Sequence, residues 1–453
     1  MSRAVGDRVR SLLLLARFAR ARWGLRFRSR ARLEAWQSRR VRQLFRRAGR
    51  TSFYRRLPSR LEWFPVIDKS VLLAEFDGLN TRGLRLVDAL AVALEAERSR
   101  DFTPVVDGDV VVGLSSGTSG TRGVFLVDPR ERALWAGTVL GRLLGRPALR
   151  LALDRRRGPL RIAFFLRAGG GLYEAVGSNR VDFSWFDLTR PIEDHVTALR
   201  DAVAAGRPPH LLVAPASVLD ALARDAVADE FRPLQVISVA EVLEPDMETR
   251  IVAAWGRPVR QVYQATEGLL ALSCERGSLH LNEESVLVER EWLDDEHTRF
   301  RPVVTDFERR TQLVIRYRLD DVLRIEPAAE GERCACGRVT AVIAAIDGRD
   351  DAVLHLPAAN GRSVVELFPD AVRQAIAAAP TPPGAYRDWA LRQHGLELRL
   401  SLQNPAPDAE RVVAEALAGL LDRYGCAGDV VPTAWVERDP AAKLRRIVRE
   451  AAA

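Results

Sequence analysis

Residues 114–123 read Leu114-Ser115-Ser116-Gly117-Thr118-Ser119-Gly120-Thr121-Arg122-Gly123 and follow the run Val110-Val111-Val112-Gly113. Three glycines and five hydroxyls behind a buried strand make a loop whose amides can close on a phosphate, with the hydroxyls donating further hydrogen bonds. The Gly-Lys-Ser/Thr ending of the P-loop nucleotidases is absent, so this is not that loop. A loop placed after such a strand is more often functional than a spacer.

Downstream the pattern alternates. Arg161–Leu166, His210–Ala214, Leu234–Val239 and Val259–Tyr263 read as buried strands, with helices expected over Ala216–Ala228 and Pro245–Trp255. Strands alternating with helices predict an α/β sheet with right-handed crossovers. Upstream, helices are expected over 29–50 and over 67–77, the second opened by Asp68. From about 279 to 325 the texture changes to short β runs (Leu279–Leu281, Ser285–Val288, Arg301–Thr305, Leu313–Tyr317), which predicts a small β subdomain. A hinge is expected after Asp347-Gly348-Arg349, near 348–351. Beyond it, strands at Trp389–Arg392, Leu396–Leu402 and Val430–Val436 with a helix at 408–423 predict a compact α+β domain. The expected division is therefore a basic N-terminal helix (1–28), a large multi-part α/β domain (29–347) and a small mobile C-terminal domain (348–453).

The chain has 453 residues and a net charge of +8, with 47% apolar and 28% charged residues, as in ordinary globular proteins. The charge is uneven: residues 1–60 hold 19 arginines against only Asp7 and Glu34. Such a start is a solvated helical face or, at most, a peripheral contact with anionic membrane; no motif of a specific nucleic-acid reader accompanies it. Leu12–Leu15 is far too short to span a bilayer, no cleavage site follows it, and the expected location is the cytoplasm. All 68 basic residues except Lys69 and Lys443 are arginine. A lysine kept in such a chain suggests a site for a compact point charge where a guanidinium fork does not fit.

Three further clusters carry chemistry. Tyr263-Gln264-Ala265-Thr266-Glu267-Gly268 ends a strand, where open α/β sheets bind ligands. Its tyrosine could stack on a base and its glutamate hold Mg²⁺, although alone the hexamer is equally a strand-end turn. Arg316-Tyr317-Arg318-Leu319-Asp320-Asp321 could place a carboxylate on a ribose, or be a surface ion-pair cluster. Asp439-Pro440-Ala441-Ala442-Lys443-Leu444-Arg445-Arg446 holds the second lysine. Only four cysteines are present; Cys334 and Cys336 are clustered, and Cys274 and Cys426 are distant in sequence.

Taken in order, these segments resemble the adenylate-forming superfamily of acyl-CoA ligases, luciferases and peptide-synthetase adenylation domains. The chain is most similar to its phenylacetate–CoA ligase branch, which also holds synthetases that adenylylate a deazaflavin coenzyme. Ser52-Phe53-Tyr54-Arg55-Arg56-Leu57, Val239-Ala240-Glu241 and Arg333-Cys334-Ala335-Cys336-Gly337-Arg338 resemble elements of that branch. Gln264 stands where the superfamily has glycine, the hinge is one residue short, and residues 355–365 do not match the segment that shapes the CoA path. The resemblance implies that Ser115, Ser116, Gly117, Thr118, Ser119, Gly120 and Thr121 hold the ATP phosphates. It further implies that Ala240, Glu241 and Tyr263 line the adenine site, Asp321 binds the ribose, Thr266 meets the α-phosphate and Glu267 holds Mg²⁺. Lys443 is then the adenylation lysine. The implied reaction turns a carboxylic acid into its acyl-AMP and passes it to a thiol, either CoA or a carrier protein. The branch also allows transfer of AMP to a hydroxyl. A homodimer is left open, as is a rival of another class, a non-catalytic basic membrane- or nucleic-acid-associated protein. The segment 164–186, with Gly169–Gly171, Tyr173 and Trp185, would favour an aryl or hydrophobic acid. Cys274, His280, Cys334 and Cys336 would make a closed structural zinc site, an alternative to three buried thiols and an unrelated histidine.

Overall fold

The computed structural model describes residues 3–115, 122–154, 156–167, 180–326, 333–439 and 442–450, with side chains from Arg8 onward. It divides into two compact units. The first comprises residues 1–298, 302–319 and 325–344; the second comprises 299–301, 320–324 and 345–453.

The first unit is built on an eight-stranded sheet. Its strands are β3 (Leu160–Leu166), β4 (Val181–Asp187), β5 (Leu211–Ala214), β6 (Gln235–Val239), β7 (Val259–Ala265), β8 (Gly268–Ser273), β9 (Leu279–Leu281) and β14 (Val342–Ile343), in the order β14-β9-β8-β7-β6-β5-β3-β4. β3 to β7 run parallel, and β8, β9 and β14 close one edge antiparallel. The parallel core follows from composition. All four residues of β5, Leu-Leu-Val-Ala, are buried, as expected where helices cover both faces of a sheet. A separate antiparallel hairpin, β1 (Val111–Leu114) with β2 (Val124–Val127), carries the glycine- and hydroxyl-rich loop at its tip. It packs on α5 (Leu86–Ser99) through Val110, Val112, Val124 and Leu126.

The second unit has a four-stranded sheet, ordered Asp429–Pro432, Glu397–Gln403, Asp388–His394 and Ile447–Arg449, with helices Pro369–Ala378 and Ala409–Tyr424. Its core gathers Leu391, Leu398, Leu400, Val413, Leu417 and Ile376. The mixed α/β architecture, with a large and a small unit, agrees with the sequence expectation.

Several expectations need correction. Leu279–Leu281 does not open a small β subdomain; it extends the main sheet. The helix expected over Ala216–Ala228 breaks at Asp225 into Ala216–Arg224 and Val227–Glu230. Of Leu313–Tyr317 only Tyr317, with Arg318, joins a strand. The N-terminal helix is also not simply a solvated face. α1 (Arg3–Ala19) lies on α6 (Pro129–Leu143), and Arg17 is buried there, donating to Thr138 Oγ1 at 2.7 Å and Ser285 Oγ at 2.6 Å. The close approach requires glycine. A Cβ on Gly137 would lie 2.6 Å from the Leu14 carbonyl oxygen, and one on Gly141 2.7 Å from that of Phe18.

In an ordinary helix interior Gly→Ala stabilises by roughly 0.5–1 kcal/mol. Here the forced separation outweighs that gain. Gly137→Ala and Gly141→Ala should each lower stability by about 1–3 kcal/mol in chemical denaturation, the sign opposite to helix propensity.

Candidate functional site

The carboxyl ends of β5, β6 and β7 form one row, since Ala214 lies beside Ser238 and Val239 beside Val262. This is where open α/β sheets receive ligands. β7 and β8 are joined by a two-residue turn made of Thr266 and Glu267, with Ala265 opposite Gly268. The Thr266 hydroxyl donates to Glu267 Oε2 at 2.9 Å, so the two predicted side chains share one tip.

Arg309, a residue the sequence reading did not single out, fixes that tip. It is fully buried. Its guanidinium donates to the Thr266 carbonyl, to the Glu267 carbonyl (Nε, 3.3 Å) and to the Leu126 carbonyl (2.9 Å) and stacks 5.0 Å over Trp135. Leu126 belongs to β2, the strand returning from the hydroxyl-rich loop, so one side chain ties both segments together. Two buried carboxyls complete the arrangement. Asp306 accepts from the amides of Glu308 and Arg309, while Glu131 accepts from those of Arg310 and Thr311 and closes the capping box of α6 with Asp128. Burial pushes Asp306 up to about 6 and Glu131 up to about 7, against the opposing pull of Arg309. Gly268 is fixed by the same cluster, because a Cβ there would lie 2.9 Å from Asp306 Oδ2.

The loop base is closed by Ser115. Its amide donates to the Gly123 carbonyl at 2.9 Å and its hydroxyl accepts from the Gly123 amide at 2.7 Å. Arg122 braces the base with a two-pronged pair to Glu97 and a 3.1 Å bond to the Ser115 carbonyl. Ser116, Gly117, Thr118, Ser119, Gly120 and Thr121 lie outside the described residues, as do Gly169–Gly171 and Tyr173.

Ala240 has φ +66°, a left-handed conformation that an L-residue adopts at a cost of roughly 1–2 kcal/mol and that tends to mark functional turns. Glu241 accepts from the Ser217 amide at 2.9 Å, which fastens β6's exit loop to the start of the helix Ala216–Arg224. Tyr263 is largely buried in β7. These residues belong to the first unit. Asp321 and Lys443 belong to the second. Asp321 opens β13 (Asp321–Arg324), opposite Arg349. Lys443 is exposed on a loop anchored just behind it, where Arg446 donates to Asp388 at 2.8 Å, stacks 5.2 Å over Trp389 and leads into the strand Ile447–Arg449.

Cys274, His280, Cys334 and Cys336 converge, their ligand atoms lying within 4.8 Å of one another. Cys274 and Cys334 each open a tight turn closed by a glycine with positive φ, Gly277 at +88° and Gly337 at +84°. In each turn an amide points at sulfur: Arg276 donates to Cys274 at 3.3 Å and Cys336 to Cys334 at 3.5 Å. His280 Nδ1 is held at 3.0 Å by both oxygens of Thr340, leaving Nε2 on the cysteine side, 3.5 Å from Cys336 Sγ. Ligands around tetrahedral zinc stand about 3.8 Å apart, which this set fits. The surroundings fit as well. Buried Arg142 and Arg338 share the single carboxylate of Glu284, and Arg142 keeps an unbonded Nη2. That leaves one positive charge over, and zinc with three thiolates and a neutral imidazole carries one negative charge. Cys426 lies in the second unit.

No family model matches the chain, and no curated relative matches it either. Solved structures do. 2-Hydroxyisobutyryl-CoA ligase in its post-adenylation state with 2-HIB-AMP is 17% identical, covering 93% of this chain and 90% of that one, with a TM-score of 0.61. The amide bond synthetase McbA from Marinactinospora thermotolerans is 13% identical over 74% of this chain and 68% of its own, with a TM-score of 0.52. The chain thus has the fold of the adenylate-forming ligases.

Removing one partner of a buried charged network costs about 3–5 kcal/mol. Arg309→Met should therefore lower unfolding stability by that order, and Arg309→Lys, with one ammonium for three carbonyls, should recover only part of it in urea titrations.

Proposed function

We propose that the protein uses ATP to activate a carboxylic acid as its acyl-AMP and passes the acyl group to a thiol, with CoA as the first candidate. The observation that carries this reading is the pair of segments joined by Arg309, a Thr-Glu turn at a strand end and the return strand of a loop rich in glycine and hydroxyls. A ligase of the same fold has been captured with its acyl-AMP, and in an open conformation with acyl-AMP and CoA.

In the proposed reaction the substrate carboxylate oxygen attacks the α-phosphorus of ATP in line, and the bond to the bridging oxygen of pyrophosphate breaks. Amides and hydroxyls of 115–121 hold the β- and γ-phosphates, Thr266 contacts the α-phosphate, and Asp321 accepts from the ribose hydroxyls. Ala240, Glu241 and Tyr263 border the base. The oxygen donors of Thr266 and Glu267 suit a hard cation, and Mg²⁺ held by Glu267 would neutralise phosphate charge. Lys443 donates to the oxygens on which charge builds, a task for a compact ammonium. Rotation near 348–351 then exposes the acyl carbon to the thiol, whose attack expels AMP. The tetrad Cys274, His280, Cys334 and Cys336 holds a structural zinc.

Two outcomes check this. Lys443→Ala should slow acid-dependent acyl-AMP formation, followed by hydroxylamine trapping, about a hundred- to a thousand-fold, from the loss of one charge-stabilising donor. Lys443→Arg should recover little, while thioester formation from supplied acyl-AMP should survive better; an unchanged adenylation rate in Lys443→Ala contradicts the assignment. Metal analysis should find one zinc per chain. Cys336→Ser should lose the zinc and lower the melting temperature rather than selectively stop the chemistry, since a structural site contributes folding energy.

A further inference from the structure

α1 has two different faces. The inner one meets α6 through Leu14, Arg17 and Phe18. The outer one is apolar and open: Val9 is 44% exposed, Leu12 66% and Leu15 59%, with Ala16 and Ala19 exposed beside them. The π-helical turn Arg20–Gly24 follows, with Trp23 62% exposed and its ring edge-on to Phe18 at 5.9 Å. At α-helical spacing Val9, Leu12, Leu15, Ala16 and Ala19 fall on the side away from the buried Arg17. Large apolar side chains grouped on a face whose reverse is already packed mark an interaction surface. The same stretch of chain is cationic, with Arg8 and Arg20 exposed on the helix and the turn and Arg26, Arg28 and Arg32 exposed just after them.

Charge and polarity select the partner. A nucleic acid would need cations at the centre of the patch, but the centre is leucine. A second copy would set one arginine-rich stretch against an identical one, because a twofold contact is self-complementary. An anionic bilayer surface satisfies both parts, with leucines entering the acyl boundary, guanidiniums at the phosphates and a tryptophan between. No described helix is long and apolar enough to cross a membrane, so the contact would be made in the plane of the surface. We propose that the outer face of α1, centred on Leu12 and Leu15, together with Trp23 of the turn that follows, docks the protein on anionic lipid. This proposal is independent of the adenylation reading.

The test is flotation of the full-length chain with vesicles of phosphatidylcholine alone or with about a third phosphatidylglycerol. Binding should require the anionic lipid and weaken with salt. Leu12→Glu/Leu15→Glu should partition at least about tenfold more weakly. Its unfolding midpoint and solution adenylation should match the wild type, since both side chains face outward. Trp23→Ser, a change confined to the exposed turn, should weaken binding in the same direction and serves if the double variant is unstable. Equal binding to neutral vesicles, undiminished binding of the variants, or no binding by the wild type would overturn the proposal. So would loss of a concentration-dependent dimer in the double variant without any vesicle binding.

Discussion

The arrangement of the first unit depends on where one buried guanidinium sends its hydrogen bonds. Arg309 meets two carbonyls of the Thr266-Glu267 turn and one carbonyl of β2. Those segments come from different sheets, the eight-stranded sheet and the β1–β2 hairpin, and among the described residues no shared strand pairing holds them together. Leaving a charge unpaired in such a place would cost several kcal/mol, so it persists only because three acceptors and an aromatic face are supplied at once. Asp306 and Glu131 add the compensating carboxyls, and their own acceptor sites are filled by amides of the same 306–311 segment. The result ties the Thr266-Glu267 turn to β2.

The same chemistry recurs at other buried arginines. Arg17 joins α1 to α6 and Ser285, Arg338 binds Glu284, and Arg446 joins Asp388 and Trp389. Each is a planar fork serving several partners, which an ammonium on a flexible stem serves poorly. Lys443, one of only two lysines, lies exposed on its loop.

What the sequence revealed follows from how local each signal is. β5 and β6 were legible because their apolar runs require burial on both faces. β4 was not, since Asp182, Ser184 and Asp187 break its pattern and it lies at the sheet edge, half-buried on both faces. Leu279–Leu281 was legible as a β run but not as part of the main sheet, because it has only three residues and the strand that pairs with it, at Val342, is distant in sequence. The cysteine tetrad could be assembled because cysteine is scarce, with His280 the nearest histidine to Cys274. Arg309 could not be found, because nothing distinguishes one arginine among 66 before its acceptors are located in space. The inner face of α1 was hidden for a related reason: glycines 137 and 141 show their purpose only once a helix is seen lying against them.

Carboxylate-dependent exchange of labelled pyrophosphate into ATP tests the central claim most directly, with the purified full-length chain, Mg²⁺ and a panel of aliphatic and aryl acids. Exchange that appears only when a particular class of acid is present, and that requires no thiol, is what acyl-adenylate formation predicts. ATP turnover indifferent to every acid, or no exchange with any of them, would contradict it.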